Sequence, residues 1–489
     1  MVSVAGICNA DVHTLPLDRC IEIALQQSHA APAAAYGVEA AEAQHRQARA
    51  GYWPLLDLEA GYQRLDEAPN FIFPSSTFSL PAMDMTIPGG SAAVTIPAGA
   101  FGPGFPPQEV QLPVSFPDQS LAIPGMSFEV PEQDVKLMDE DSFHASLQAQ
   151  WLLVDGGMRR GLEEQAGAGL DVAREALRRA KLTIVYEVTK LYWSAVMTRQ
   201  LLDVGEDTLA RMEATLDLTE TMYTGGVGRV KKTDYLSNQV MVESIRSVVA
   251  NLRANRETAE AALAFTMGMS YRDSVVPVDE QFPVVAAEID VEDAVSQALQ
   301  VSPEWRELQA GIRAASGALR EARSGFFPKI ALVGEIHGWW NSYDAGIATD
   351  VNQEGWSAGV GVSLPVFDGN LTRNRVIEAK ARLNELRERE AMLREGLGLQ
   401  IRQIGLGLSA AGQRLAATSA AKTAAVENRE LNIRAYQDDL VDTKEVITAQ
   451  LTEAMMWAQY YKACFDETEL RSRLKLVIGA HVGSVPEVD

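Results

Sequence analysis

Cysteine is almost absent from this chain: Cys8, Cys20 and Cys464 are the only three in 489 residues. An odd, scattered set makes no disulfide framework, and without a C-x-x-C spacing it offers no metal or redox site. Positive charge is also scarce. Lys and Arg number 43 against 66 Asp and Glu, a net charge of −23, so the basic footprint of nucleic-acid binding is missing and no nucleic-acid partner is expected. The acidity suits a solvated surface, or an aqueous path that favours cations. No run of 18 apolar residues occurs, which excludes a transmembrane helix but says nothing of membrane-spanning strands. Catalytic signatures are missing too. There is no G-x-x-x-x-G-K loop, no G-x-S-x-G elbow and no H-E-x-x-H. The six histidines lack ligand spacing, and Gly359-Val360-Gly361 has no third glycine. The chain is therefore expected to be no enzyme, with no cofactor and no metal.

The start, Met1 to Cys8, has no basic segment and no adequate apolar core for a leader. The expectation is either a cytoplasmic protein or a numbering that begins after processing. Cys8 is a candidate lipid anchor, although Ile7 stands where such sites take Gly or Ala; an ordinary thiol is the alternative.

Proline is missing from two long stretches, and these organise the rest. From Met158 to Tyr223 apolar or small residues recur at Leu162, Ala166, Leu170, Ala173, Leu177, Ala180 and Ile184, in steps of three and four. That is the helical period. Unbroken, 158–223 makes a helix of about 66 residues, roughly 99 Å long at the α-helical rise. A second such stretch, 370–436, repeats the first at a constant offset of 213 positions, Asp155 matching Asp368. An ordinary globular core has no room for such a helix; a coiled coil, a bundle stalk or a tunnel wall does. Shorter return helices are predicted over 231–267 and 443–478, after turns rich in glycine or aspartate.

Four segments alternate in polarity with a period of two, at about 55–66, 142–154, 329–341 and 355–367. In the first, Leu56, Leu58, Ala60 and Tyr62 alternate with Asp57, Glu59, Gly61 and Gln63. These read as strands with one apolar face. Residues 67–141 differ in kind, being rich in Pro and Gly. Helix is excluded there and regular sheet is not expected at such a proline density. The segment is an ordered insertion or a mobile loop.

Duplication is visible throughout. Gln47 to Pro54 matches Glu321 to Pro328 at an offset of 274, and Ala24-Leu25-Gln26 matches Ala298-Leu299-Gln300 at the same offset. After the second turn the offset is 211, with Gln239 against Gln450 and Gly268 against Gly479. An offset that changes only at loops marks an internal repeat. The expected division is 1–274, carrying the 67–141 insertion, and 275–489. The short helix near 31–52 plus a return helix nearly equals one long helix, which suggests a uniform helical wall about 100 Å deep.

Segments of ten to twelve residues are long enough to cross a bilayer when tilted. Aromatics gather at their ends: Tyr52, Trp53, Trp151, Phe326 and Phe327 beside the helices, Trp339, Trp340 and Trp356 at the other side. Two aromatic girdles are a membrane signature. His144 and His337 fall on the polar faces. Four strands cannot close a barrel, and open edges are not tolerated in lipid, so each subunit must supply one sector of a shared barrel. The rival is a soluble periplasmic coiled-coil scaffold without a pore, its strands forming a small cap. That rival leaves the strand lengths and the aromatic ends unexplained.

Gly51-Tyr52-Trp53-Pro54 and Gly325-Phe326-Phe327-Pro328 stand before the first strand of each half. Val154-Asp155-Gly156-Gly157 and Val366-Phe367-Asp368-Gly369 precede the long helices, and the turns run from Tyr223 to Gln239 and from Tyr436 to Gln450. With these motifs in this order, the chain resembles the outer-membrane efflux protein family of TolC-type channels. The resemblance implies a mainly α, internally duplicated fold with a transmembrane β-barrel sector. In a homotrimer it gives a 12-stranded barrel in outer-membrane lipid, continued by an α-helical tunnel in the periplasm of a Gram-negative cell. It implies the exit duct of a tripartite efflux or type I secretion system, engaged by a periplasmic adaptor (a membrane fusion protein) and an inner-membrane transporter. The adaptor would meet the turns at Gly225, Gly226, Val227, Gly228, Leu440 and Val441. Asp439 stands where the first turn has Gly226, a departure at the second tip. Asp438, Asp439 and Asp442 are the candidate constriction, nine carboxylates in a trimer, whose mutual repulsion favours cation occupancy. Arg229, Lys231 and Lys232 are their candidate basic partners. The insertion would lie outside the cell.

Overall fold

A computed structural model gives the structure of the chain. It describes residues 12–66, 70–73, 76–79, 84–87, 91–94, 112–115, 119–122, 125–130, 133–136, 140–225, 230–283, 289–341, 354–438 and 440–480. In order, the described elements begin with β1 (Val12–Leu15), α1 (Leu17–Gln27), α2 (Ala30–Ala50) and β2 (Leu55–Arg64). Eight four-residue strands follow: β3 (Asn70–Phe73), β4 (Ser76–Ser79), β5 (Asp84–Ile87), β6 (Ser91–Val94), β7 (Leu112–Ser115), β8 (Gln119–Ala122), β9 (Ser127–Val130) and β10 (Gln133–Lys136). Then come β11 (Asp141–Val154), α3 (Met158–Thr224), α4 (Lys232–Thr266), β12 (Ser274–Pro277), α5 (Val291–Val301) and α6 (Pro303–Ser324). The chain closes with β13 (Lys329–Asn341), β14 (Glu354–Ser363), α7 (Leu371–Gln437) and α8 (Thr443–Ile478). Both long helices have 67 residues. Among the described residues no helix is long and apolar enough to cross a membrane.

The chain falls into two compact units, residues 1–37, 174–306 and 391–489 in one, 38–173 and 307–390 in the other. Each unit takes residues from both halves of the sequence.

In the first unit, short helices dock on the middle of the long helices and on the C-terminal ends of the return helices. Cys20, Ile21 and Ala24 of α1 pack with Val188, Tyr192 and Val196 of α3, Leu263 of α4 and Val275 of β12. Ala294 and Ala298 of α5 pack in the same manner with Ile401 and Ile404 of α7 and Leu474 and Ile478 of α8. The return helices both stop at a left-handed glycine, Gly268 (φ +85°) and Gly479 (φ +75°). A Cβ at Gly268 would meet the Gln27 carbonyl, and one at Gly479 the Val301–Pro303 segment, so glycine is needed for the close approach as well as for φ. Arg178 donates to the carbonyls of Val301 (2.7 Å) and Gly479 (2.9 Å). Strand β1 pairs in parallel with β12, Val12 opposite Ser274. At four residues each, these strands give too little alternation to be read in advance.

In the second unit, one antiparallel sheet has the order β14-β13-β11-β2. Among the described residues its edge strands β14 and β2 have no further partner in the sheet. Strand β14 stops at Ser363, short of the expected 367. Ser363 pairs with Lys329, the first residue of β13, and Pro365 beyond it has no N–H to donate.

The 67–141 insertion corrects an expectation. Regular pairing is present in it: β3 with β10, β4 with β9, β5 with β8 and β6 with β7, all antiparallel and nested. The prolines permit this by position. Pro74, Pro81 and Pro88 on one arm, and Pro117, Pro124 and Pro131 on the other, recur every seven residues and fall between the four-residue rungs. Only Pro113 lies within one, and a two-stranded ladder leaves half its N–H groups facing outward.

Candidate functional site

Strand register fixes the two faces of the four-stranded sheet. Leu58 lies opposite Leu147, Leu147 opposite Ile336, and Ile336 opposite Trp356. Tyr62, Phe143 and Trp340 make a parallel row on the same face, with the Phe143 and Trp340 rings 5.5 Å apart. The apolar face is exposed across the sheet, at Leu58, Ile336, Trp356, Val360 and Val362 among others. The opposite face carries Glu59, Ser146, His337 and Ser357. Trp339 belongs to it, opposite His144, and so does not join Trp340 in a girdle. Odd and even positions of one strand point to opposite faces, and adjacent tryptophans cannot share one. Trp356 stands level with Ile336, below the Trp340 row. Tyr52, Trp53, Trp151, Phe326 and Phe327 are exposed near the helix junctions, and the Trp151 indole donates to the Tyr52 carbonyl (3.0 Å).

The junction of β11 with α3 joins two of the motifs. Asp155 accepts from the Gly157 N–H (2.9 Å), the Arg159 N–H (3.0 Å) and the Arg159 Nε (2.6 Å). Arg159 also donates to the Leu153 carbonyl (3.1 Å) and lies 4.9 Å from the centre of the Tyr52 ring. Burial pushes the Asp155 carboxyl up, but the hydrogen bonds from Arg159 and Gly157 outweigh it, and its pKa falls below the usual carboxylate value. In the second half Asp368 accepts from the Thr372 N–H (2.8 Å), and the hydrogen bonds from Thr372 lower its pKa too.

The turns lie in the first unit. Gly225 closes α3 by donating to the Thr221 carbonyl (2.9 Å), and the Asp234 carboxylate caps α4 by accepting from the Lys231 N–H (2.9 Å). At the second turn Leu440 donates to the Ala435 carbonyl (2.8 Å). Leu440, Asp438, Asp442, Lys231 and Lys232 are exposed, and Val441 is half-buried. Gly226, Val227, Gly228, Arg229 and Asp439 lie outside the described residues, as does Cys8. Among the described residues no ion pair within the chain links Lys231 or Lys232 to Asp438 or Asp442.

Behind the turns sits a buried polar layer that was not foreseen. The Tyr436 hydroxyl lies 3.0 Å from the Thr443 hydroxyl and 3.4 Å from that of Thr219, to which Asn238 also donates. Gln450 donates to Thr215 (3.1 Å). Below it Met212, Val242 and Ile447 form an apolar cluster, and Glu453, buried, pairs with Arg211 (3.0 Å) and Arg429 (3.1 Å). Helices α3, α4, α7 and α8 are thus fastened at one level. In sequence these residues read as solvated helix positions; the one available signal was Gln450, flanked on both sides by the apolar period of α8.

Among the described residues no cluster of His, Cys, Asp or Glu has the arrangement to hold a metal ion. Residues 132–269 and 294–463 match the family described as outer membrane efflux protein. Nodulation protein T of Rhizobium leguminosarum bv. trifolii is 22% identical over 337 residues, covering 68% of this chain and 71% of that protein. Outer membrane efflux protein BepC of Brucella suis biovar 1 is 22% identical over 315 residues, 62% of this chain and 66% of BepC. In fold, the outer membrane protein VceC of Vibrio cholerae aligns over 95% of this chain and 96% of its own with a TM-score of 0.69 at 17% identity. The chain belongs to the outer membrane efflux protein family. It is mainly helical and TolC-like, resides in the outer membrane of a Gram-negative cell, and serves as the exit duct of an efflux system.

Proposed function

We propose that three copies of this chain close one pore, a 12-stranded barrel continued by a helical tunnel, and that each copy is an internal duplication divided near residue 275. The observation that carries this reading is the four-stranded sheet, whose edge strands β14 and β2 lack outer partners among the described residues while one face is exposed and apolar. Lipid tolerates neither open edges nor unpaired backbone groups. Twelve strands, an even number above the minimum of eight, satisfy both. The matching dockings of α1 and α5, ending at Gly268 and Gly479, support the duplication.

The duct makes no bonds. Cargo is driven by an inner-membrane transporter through a periplasmic adaptor, which docks on the turns around Gly225 to Gly228 and Leu440-Val441. Asp438, Asp439 and Asp442, repeated three times, line the periplasmic mouth and favour cations. Between copies, Arg229, Lys231 and Lys232 are the groups placed to pair with them. Asp438 and Asp442 are exposed, and among the described residues no cation of the same chain pairs with them, which supports this assignment. Planar-bilayer recording of the Asp438→Asn/Asp439→Asn channel tests the mouth: cation selectivity falls if these carboxylates set it, and unchanged conductance and selectivity reject the assignment.

A further inference from the structure

In the first unit, α3, α7, α8 and the segment after β12 enclose a cleft of about 440 Å³ that takes no part in the conduit. Helical spacing builds its walls. Trp457, Tyr460, Tyr461 and Cys464 recur in steps of three and four and so share one face of α8, and Lys422 reaches them from α7. The remaining wall is the segment after β12, which α3 holds in place. Arg199 donates to the carbonyls of Pro277 (3.0 Å) and Asp279 (2.9 Å), and Gln200 to that of Glu280 (3.1 Å). Phe282 is fixed against Trp193, with the ring centres 5.3 Å apart. The cleft is thus part of the fold and needs no ligand to form it.

The cleft holds a cation without a counter-charge. Lys422 Nζ lies 4.0 Å from the centre of the Tyr460 ring and 4.3 Å from that of Trp457, and among the described residues no carboxylate forms an ion pair with it. Acidic residues outnumber basic ones by 66 to 43 in this chain, so an unpaired lysine does not reflect a shortage of acids. Two carboxylates line the cleft. Glu467 is buried and already bound by Arg471 (2.8 and 3.1 Å), and Glu280 is exposed. Burial raises the pKa of the Cys464 thiol and of the Tyr460 and Tyr461 phenols, the last to about 12. These groups are neutral near pH 7 and supply no anion. The ring faces attract the ammonium, but its N–H donors are left for whatever enters. Beside it the Trp457 and Tyr461 rings lie 5.5 Å apart and 26° from parallel, a flat apolar surface.

We propose that this cleft binds a small aromatic carboxylate, its anion on Lys422 Nζ and its flat body against Trp457, Tyr461 and Phe282. Charge sets the orientation. Lys422 is the one cation lining the cleft among the described residues, so the carboxylate turns toward it and away from Glu280 and Glu467. The rings supply the apolar area, and the charge-assisted hydrogen bond separates an acid from its neutral analogue. A bound ligand joins α7 and α8 to the segment that α3 holds, and so stabilises the first unit. The site lies within one unit of one chain and does not depend on how many copies assemble.

The test is calorimetric titration of the detergent-extracted full chain with 1-naphthoate and with its uncharged analogue 1-naphthamide, each corrected for titration into empty micelles. The expected result is saturable binding of naphthoate, with the amide weaker by about tenfold or more for want of the charged contact. Lys422→Met keeps the apolar stem and is expected to bring naphthoate down to the level of the amide while leaving the amide unchanged. Lys422→Arg is expected to keep the preference for the acid. Naphthoate should also raise the thermal midpoint of the wild type and not that of Lys422→Met. No saturable binding of naphthoate overturns the proposal. Equal binding of acid and amide by the wild type overturns it too, and that comparison needs no variant. Naphthoate binding that survives undiminished in Lys422→Met places the ligand elsewhere and rejects this site.

Discussion

Single side chains decide whether the two ends of the long helices hold. Glu453 is nearly buried between Arg211 and Arg429, and removing one member of a buried ion group strands the rest. Glu453→Gln is expected to cost roughly 3 kcal/mol and to lower the thermal midpoint in detergent; an unchanged midpoint contradicts the pairing. Asp155 gives a pH dependence of known sign. Its folded pKa lies below the unfolded value of 3.8, so its contribution is complete above that value and is lost as pH falls through the folded pKa. The stability difference between wild type and Asp155→Asn should be constant from neutrality down to about pH 5 and shrink below pH 4. A difference that disappears near neutral pH would refute this. At this scale the sequence was only partly readable. The Asp-Gly-Gly motif was visible, but the reach of Arg159 from Asp155 to the Gly51 carbonyl (3.4 Å) and the Tyr52 ring was not, because Gly51 lies 108 residues away in the chain. Thr219, Asn238 and Gln450 were missed since a buried polar side chain and a solvated one look alike in a list of residues.

Elements carried much stronger signals. The periods of 3.6 and 2 place helix at 158–223 and strand at 142–154, and the structure has α3 at Met158–Thr224 and β11 at Asp141–Val154. The rungs of the insertion escaped notice for a physical reason: proline density argues against sheet only when the prolines interrupt pairing, and here they punctuate it. Strand faces yield a direct test. Arginine at Leu58, on the apolar face, is expected to cost about 2–4 kcal/mol if that face meets the bilayer middle, whereas Glu59→Arg on the other face is expected to insert normally. Outer-membrane yield of the two variants measures this, and equal yields would argue that the face does not meet lipid. The α3–α6 crossing is equally specific. Gly161→Leu has no space beside Gly317 and Glu321 and is expected to destabilise by about 1–3 kcal/mol, read as a lower thermal midpoint.

At the scale of the whole molecule, the sheet with two open edges and an uncovered apolar face is incomplete as a single chain. Membership of the outer membrane efflux protein family agrees with the proposed assembly that completes it. If one chain supplies a third of a pore, native mass measurement of the detergent-extracted outer-membrane protein gives a particle of three chains of 53.2 kDa each, and that particle conducts in a planar bilayer. A monomer or dimer recovered in the water-soluble fraction would contradict it.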